Sequence, residues 1–178
     1  MTETMVNWGV RHVFGMVGHS NLGLADALRM QEEAGKLNFY GIRHEGAAAF
    51  AASAYEKLTG RPAACLTIAG PGATNLLTGM WDANVDRSPV LALTGQVDTQ
   101  VLGPGAFQEV DLQAAFGKVA QWSQSVSHSS KHAELMNLVK VSKEHFQFEG
   151  FSGGCCSSSL REIPLAAVAP RPSVCQKS

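Results

Sequence analysis

The chain has 178 residues, enough for one domain, and its 45% hydrophobic and 16% charged content suits a globular protein. A formal net charge of −1 removes the electrostatic case for nucleic acid or a membrane surface as partner. No apolar run reaches the roughly 18 residues of a membrane helix, and no basic region followed by an apolar stretch opens the chain.

The first element is the end of a helix at Val6–Val10, with almost no N-terminal half, so the chain is expected to begin inside an element. Arg11–Met16 reads as the first strand. Gly18-His19-Ser20-Asn21 is a turn, with Ser20 or Asn21 as N-cap of a helix whose apolar positions Leu22, Ala25 and Leu28 recur at helical spacing up to about Glu33. Gly35 ends that helix. Leu37–Ile42 is a short apolar strand, and an alanine-rich helix runs from Glu45 to Leu58 until Gly60-Arg61-Pro62 stops it. Ala63–Ile68 is apolar on both faces, the pattern of a strand in a covered parallel sheet. Gly70-Pro71-Gly72 turns the chain into a helix over Ala73–Asn84, and Pro89–Thr94 is a fourth strand. A glycine-containing loop, Gly95–Gly105, leads to a short helix over Glu109–Phe116. A fifth strand is placed over Lys118–Val126 and an amphipathic helix over Lys131–Lys140. Strands and helices alternate with long crossovers, which predicts an α/β fold: an open parallel sheet with helices on both faces.

From about Val141 the character changes. Gly150–Ser159 is low in complexity and Ala169–Ser173 is proline-rich, so 141–178 is expected to be a disordered tail behind a domain of residues 1–140. Cys65 lies alone in a strand. Cys155, Cys156 and Cys175 fall in the tail without a disulfide or Cys-x-x-Cys spacing, so a reducing, cytoplasmic setting is expected. His128 and His132 have the i, i+4 spacing of some zinc pairs but no third ligand, so no metal site is expected on this chain.

Glu45 is the candidate centre of the chemistry. It lies at the C-terminal end of a strand and on the first turn of a helix, where ligands bind in open parallel sheets. An alanine wall behind it would favour a shared or protonated carboxyl. The plainer alternative is a glutamate stabilised by the helix dipole.

Four motifs occur in order: Arg43-His44-Glu45, Gly70-Pro71-Gly72-Ala73-Thr74-Asn75, Thr94-Gly95-Gln96-Val97 and Ala106-Phe107-Gln108-Glu109. Together, over about Val6–Leu138, they resemble the N-terminal pyrimidine-binding domain of thiamine diphosphate enzymes, in the branch of acetolactate synthase and pyruvate oxidase. The resemblance implies a role for each matching position. Glu45 would hydrogen-bond the ring nitrogen N1′ of the cofactor's aminopyrimidine and so promote loss of the proton at the thiazolium C2. Pro71 and Asn75 would wall the pyrimidine. Gln108 would reach the substrate side, with Phe107 beside it or in the core. Gly18 would let the backbone approach the cofactor of a partner subunit. His19 departs from the pattern, where a glycine or an acid stands in the family. A histidine there could donate a proton or bind a substrate carboxylate.

The resemblance further implies thiamine diphosphate as cofactor, with a 2-oxo acid such as pyruvate as substrate. Magnesium and possibly FAD belong to the complete enzyme, which is expected to be a homodimer or higher. The family's Gly-Asp-Gly marker and paired asparagines do not occur in this sequence, so a diphosphate-binding domain is expected in cis or in trans. A fragment of a longer enzyme, a separate subunit and a non-catalytic binding module are the three alternatives. Retention of Glu45 and Gln108 argues against the third. A nicotinamide site is disfavoured, because neither Gly-Pro-Gly has the third glycine of a dinucleotide fingerprint.

Overall fold

The computed structural model describes residues 1–125 and the backbone of Leu165–Ala166. In chain order the elements are α1 (Thr2–Asn7), β1 (His12–Gly15), a 3₁₀ turn (His19–Asn21), α2 (Leu22–Glu33), β2 (Asn38–Gly41), α3 (Glu45–Thr59), β3 (Ala63–Thr67), α4 (Pro71–Asn75), α5 (Leu77–Val85), β4 (Val90–Thr94), α6 (Leu112–Phe116), β5 (Ser123–Gln124) and β6 (Leu165–Ala166). The strands form one sheet in the order β2-β1-β3-β4-β6-β5. Pairing is parallel from β2 through β4, as the long crossovers predict.

Both faces of the sheet are covered, and side-chain alternation along β3 and β4 explains how. Ala64, Leu66, Leu91 and Leu93 pack with Met5 and Val6 of α1 and Leu24 and Leu28 of α2. Their neighbours Ala63, Cys65, Val90 and Ala92 pack on the other face with Ala48, Ala49 and Ala52 of α3, Met80 and Ala83 of α5, and Leu112 and Phe116 of α6. Successive residues of a strand point to opposite faces, so two covered faces require an unbroken apolar run. Both five-residue central strands are buried throughout. Cys65 is inside this core, where burial pushes its thiol up to about 12 and leaves it unreactive.

Several elements differ from their predicted bounds. The first helix has its N-terminal half, Thr2–Asn7, and Trp8 to Val10 turn out of it. β2 is an edge strand, largely exposed rather than apolar, because only β1 pairs with it. The helix expected over Ala73–Asn84 is two helices. It starts earlier, with Pro71 in its first turn, and the hydrogen-bond ladder tightens at Leu76, whose N–H donates to Ala73 O three residues back. The last short helix starts at Leu112 rather than Glu109, because Asp111 caps it by accepting from Ala114 N and Glu109 is engaged elsewhere.

The fifth strand expected over Lys118–Val126 is only Ser123–Gln124, and it runs antiparallel to β6. Leu165–Ala166 is a strand within the stretch where none was expected. It pairs antiparallel with Leu93 and Ala92 of β4, supplying partners to backbone groups that an edge strand would leave open. The helix expected over Lys131–Lys140, the pair His128 and His132, and Cys155, Cys156 and Cys175 lie outside the described residues.

Candidate functional site

The sheet order creates a crevice. The chain leaves β1 toward β2 on one side, then returns past β1 to β3 on the other, so the loops after β1 and β3 diverge at the sheet's C-terminal edge. Such a switch point is where open parallel sheets bind ligands. Gly18 and His19 follow β1, and Gly70 and Pro71 follow β3, so sequence-predicted residues flank it from both sides.

Glu45 is the first residue of α3. His44 caps that helix, its ring Nδ1 accepting from Gly46 N at 3.1 Å. Glu45 is half-buried. Its Oε2 accepts from Asn75 Nδ2 at 3.1 Å, which ties the start of α3 to the end of α4. Oε1 accepts no hydrogen bond among the described residues. The alanine wall expected around the carboxyl lies elsewhere: Ala48, Ala49 and Ala52 face the core, and the carboxyl meets Asn75 and Gly72 instead. A Cβ on Gly72 would lie 3.1 Å from Glu45 Oε1 and 2.5 Å from Ile68 Cγ1, so it is the isoleucine that leaves no room for a larger residue at the start of α4.

The other predicted residues divide. Pro71 is exposed at the first turn of α4, beside Gly72. Gly18 is extended, and its requirement is space: a Cβ there would stand 2.4 Å from Ile68 Cγ2, while the same isoleucine's Cγ1 would be 2.5 Å from a Cβ on Gly72. Ile68 thus spans from one loop to the other. Gln108 is brought in through its backbone. It has φ 66°, unusual for a side chain larger than hydrogen, and packs on Gly70, itself at φ 64°. His19 is exposed on the 3₁₀ turn, with no hydrogen bond to Glu45 or Gln108 among the described residues. Phe107 is no part of the core: it is 90% exposed beside Gln108.

Three residues do work that sequence reasoning missed. Asn21 stands at the N-cap position of α2, as one of the two expected caps, but its side chain makes no capping bond to that helix, and with Ser20 it lashes the loops together. Asn21 is buried, donates Nδ2 to Met16 O at 3.0 Å and Thr67 O at 2.9 Å, and accepts from Gly18 N at 2.9 Å. Ser20 Oγ accepts from Ala69 N at 2.9 Å. Glu109 organises the loop before α6, accepting from Gly103 N at 2.6 Å, Gly105 N at 2.8 Å and Ala106 N at 2.8 Å. The signal for Glu109 was present: a carboxylate following a glycine-rich loop finds free N–H groups within reach. A cavity of about 370 Å³ opens beside this loop, lined by Thr94, Gln96, Glu109 and Asp111 among others, and lies apart from the Glu45 carboxylate.

The N–H groups of Ala106, Gly103 and Gly105 hold the Glu109 carboxyl below its ordinary range. A carboxyl depressed in the folded state contributes order above its unfolded value and loses it as pH falls through the folded one. The amide resonances of Gly103, Gly105 and Ala106 are therefore expected to shift together below the usual glutamate range, and Glu109→Gln to abolish that transition. Separate midpoints for the three amides would break this account.

Comparison with known proteins bears on the same residues. Residues 1–115 match the family described as thiamine pyrophosphate enzyme, N-terminal TPP binding domain. An acetolactate synthase from Arthrospira platensis is 46% identical over 153 residues, 86% of this chain and 26% of that protein. The acetolactate synthase large subunit of Pyropia yezoensis is 43% identical over 112 residues, 63% of this chain and 19% of the relative. A pyruvate oxidase from Lactiplantibacillus plantarum is 39% identical over 116 residues, 65% of this chain and 19% of the oxidase. The chain thus spans about a quarter or less of the length of these relatives. A family match that covers most of the chain and includes Glu45, Gly70–Asn75 and Gln108 settles its kinship: the chain belongs to the thiamine pyrophosphate enzymes and carries their N-terminal TPP-binding domain.

Proposed function

We propose that this domain holds the aminopyrimidine end of thiamine diphosphate and activates it through Glu45, as part of an enzyme that uses a 2-oxo acid in the manner of acetolactate synthase or pyruvate oxidase. One observation carries the reading: Glu45 stands at the C-terminal edge of the sheet with Oε2 steadied by Asn75 and Oε1 uncommitted. The residues fit the group. A carboxyl with one free oxygen can share a proton with a ring nitrogen, and Pro71 and Ile68 offer apolar surface next to it. When bound, thiamine diphosphate supplies a thiazolium carbon that adds to the substrate carbonyl and accepts the electrons left on decarboxylation.

The chain's own residues hold and orient. Glu45 Oε1 exchanges a proton with the ring nitrogen it meets. Asn75, by binding Oε2, steadies the carboxyl and leaves Oε1 for the ring nitrogen. Gln108, set by its packing on Gly70, serves the substrate side, and His19, exposed across the crevice, binds a substrate carboxylate or donates a proton. The diphosphate and magnesium are assigned to a second domain, in cis or in trans, and FAD to the complete enzyme. A homodimer is favoured by the exposed apolar side chains Phe50, Leu58, Trp81 and Val85 on the adjacent helices α3 and α5.

Assayed by itself with pyruvate, thiamine diphosphate and magnesium, the 178-residue chain is expected to release no carbon dioxide above background. Holding one end of the cofactor does not fix the distant thiazolium carbon against a substrate, and proximity is lost. Adding a diphosphate-binding domain from a related enzyme is expected to restore turnover. Turnover by the chain alone would refute the division of labour.

A further inference from the structure

Two hydroxyls near Glu45 lack partners among the described residues. Thr67 and Thr94 are the last residues of β3 and β4, stand opposite each other in parallel register, and are both fully buried. Cys65 and Ala92, two residues back, belong to the α3 layer, so both threonines face that layer too. Neither Oγ1 makes a hydrogen bond among the described residues. Buried hydroxyls in folded proteins are satisfied almost without exception, by water where no protein group reaches. The backbone of Thr67 is held in place, because its carbonyl accepts from both Asn21 Nδ2 at 2.9 Å and Gly95 N at 2.9 Å.

Gly72 relates these hydroxyls to the site. The point where its Cβ would stand is 3.1 Å from Thr67 Oγ1 and 3.1 Å from Glu45 Oε1, so the two oxygens are separated by no more than twice that distance. They do not bond directly. One water, with hydrogen bonds of about 2.8 Å on either side, spans a gap of this order. Thr67 Oγ1 and Glu45 Oε1 then supply two of the two to four partners a buried water needs, and Thr94, beside Thr67 in register on the same face, carries a further hydroxyl.

We infer that Thr67 is a positioning residue for Glu45: with Thr94 it holds a buried water that hydrogen-bonds Glu45 Oε1 from the core side. The inference rests on the reading of Glu45 as the group that serves the cofactor. In that setting the water limits rotation of the carboxyl about the Asn75 bond.

The test uses Thr67→Val, which removes the hydroxyl at nearly constant shape, and Thr67→Ser, which keeps it. In the full chain, NMR cross-relaxation between a long-lived water and the Thr67 methyl group is expected in the wild type. The Ser variant is expected to keep its melting temperature near the wild type's, and the Val variant to melt lower, because its water has lost a partner. In the enzyme assembled with a diphosphate-binding domain, hydrogen–deuterium exchange at C2 of the cofactor is expected to slow about two- to tenfold in Thr67→Val, the worth of one hydrogen bond, and to recover in Thr67→Ser. Absence of the water signal together with a higher melting temperature for Thr67→Val would overturn the inference, since deleting an unpartnered buried hydroxyl stabilises. Unchanged C2 exchange in Thr67→Val overturns the positioning role even where Glu45→Gln slows exchange, which keeps the two readings apart.

Discussion

Glu45→Gln, in the chain assembled with a diphosphate-binding domain, is expected to slow hydrogen–deuterium exchange at C2 of bound thiamine diphosphate by roughly 10²–10³, with kcat falling alongside. The glutamine keeps the length of the side chain and an oxygen for Asn75 Nδ2, so the link between α3 and α4 survives. What it lacks is an exchangeable acidic proton at the ring nitrogen. A single preorganised group of this kind is worth about 2–4 kcal/mol in a transition state, which converts to that range of rate. Unfolding is expected to change little, because Glu45 is half-exposed and makes one side-chain hydrogen bond. Glu45→Ala removes the acceptor for Asn75 as well and is expected to weaken cofactor binding in addition. Equal C2 exchange in wild type and Glu45→Gln would reduce Glu45 to a carboxylate at the positive end of a helix dipole.

Gly70→Ala is expected to be the most destabilising single methyl in the site. Gly70 has φ 64° and ψ −127°, a combination that side-chain-bearing residues avoid. An added Cβ would also stand 2.6 Å from Gln108 O and 2.8 Å from Gln108 Cα, and backbone does not yield as a flexible side chain does. Conformational strain and the steric displacement together cost about 2–4 kcal/mol, a fall in melting temperature of roughly 5–15 °C for a chain of this size. Gly35→Ala is the control. Gly35 also has a positive φ, 66°, but a Cβ there meets nothing within 4 Å, so only the strain of about 1 kcal/mol is expected. The difference between the two melts reads the contact with Gln108 together with the extra strain of Gly70's φ, ψ pair. If both variants melt alike, the Gln108 loop does not lean on Gly70.

Much of the framework was legible because it depends on short-range pattern. Ala63–Leu66 and Val90–Leu93 are apolar without interruption, as strands covered on both faces require, and polar Thr67 and Thr94 come only at their ends. The helix from Glu45 ends where Gly60 adopts φ 67°, the left-handed conformation that glycine takes at little cost. Glu45 can be singled out as a candidate because it sits at the start of such a helix, just past a strand, whereas Pro71, Asn75 and Gln108 are named only through the resemblance to a family; Gln108 lies in a loop that no local period describes.

Other features are contacts between residues far apart in the chain, and no local period encodes them. Asn21 has the composition of a helix cap, yet 46 residues separate it from the Thr67 carbonyl it binds. Phe107 has the composition of core, but its loop is pinned by Glu109 and leaves the ring in solvent. The strand expected over Lys118–Val126 shrinks to Ser123–Gln124 because its pairing partner, Leu165–Ala166, arrives from a distant stretch and runs the other way. The sequence by itself determined which segments could be buried strands and helices, and hence a parallel sheet with Glu45 at its edge, since burial and alternation act within a few residues. Only the tertiary structure decided what stands around that carboxyl: Asn75 on one oxygen, Gly72 against the other, and the Thr67 hydroxyl nearby. Those neighbours come together through the register of β3 with β4 and the approach of α4 to α3, which are set by packing across the whole sheet.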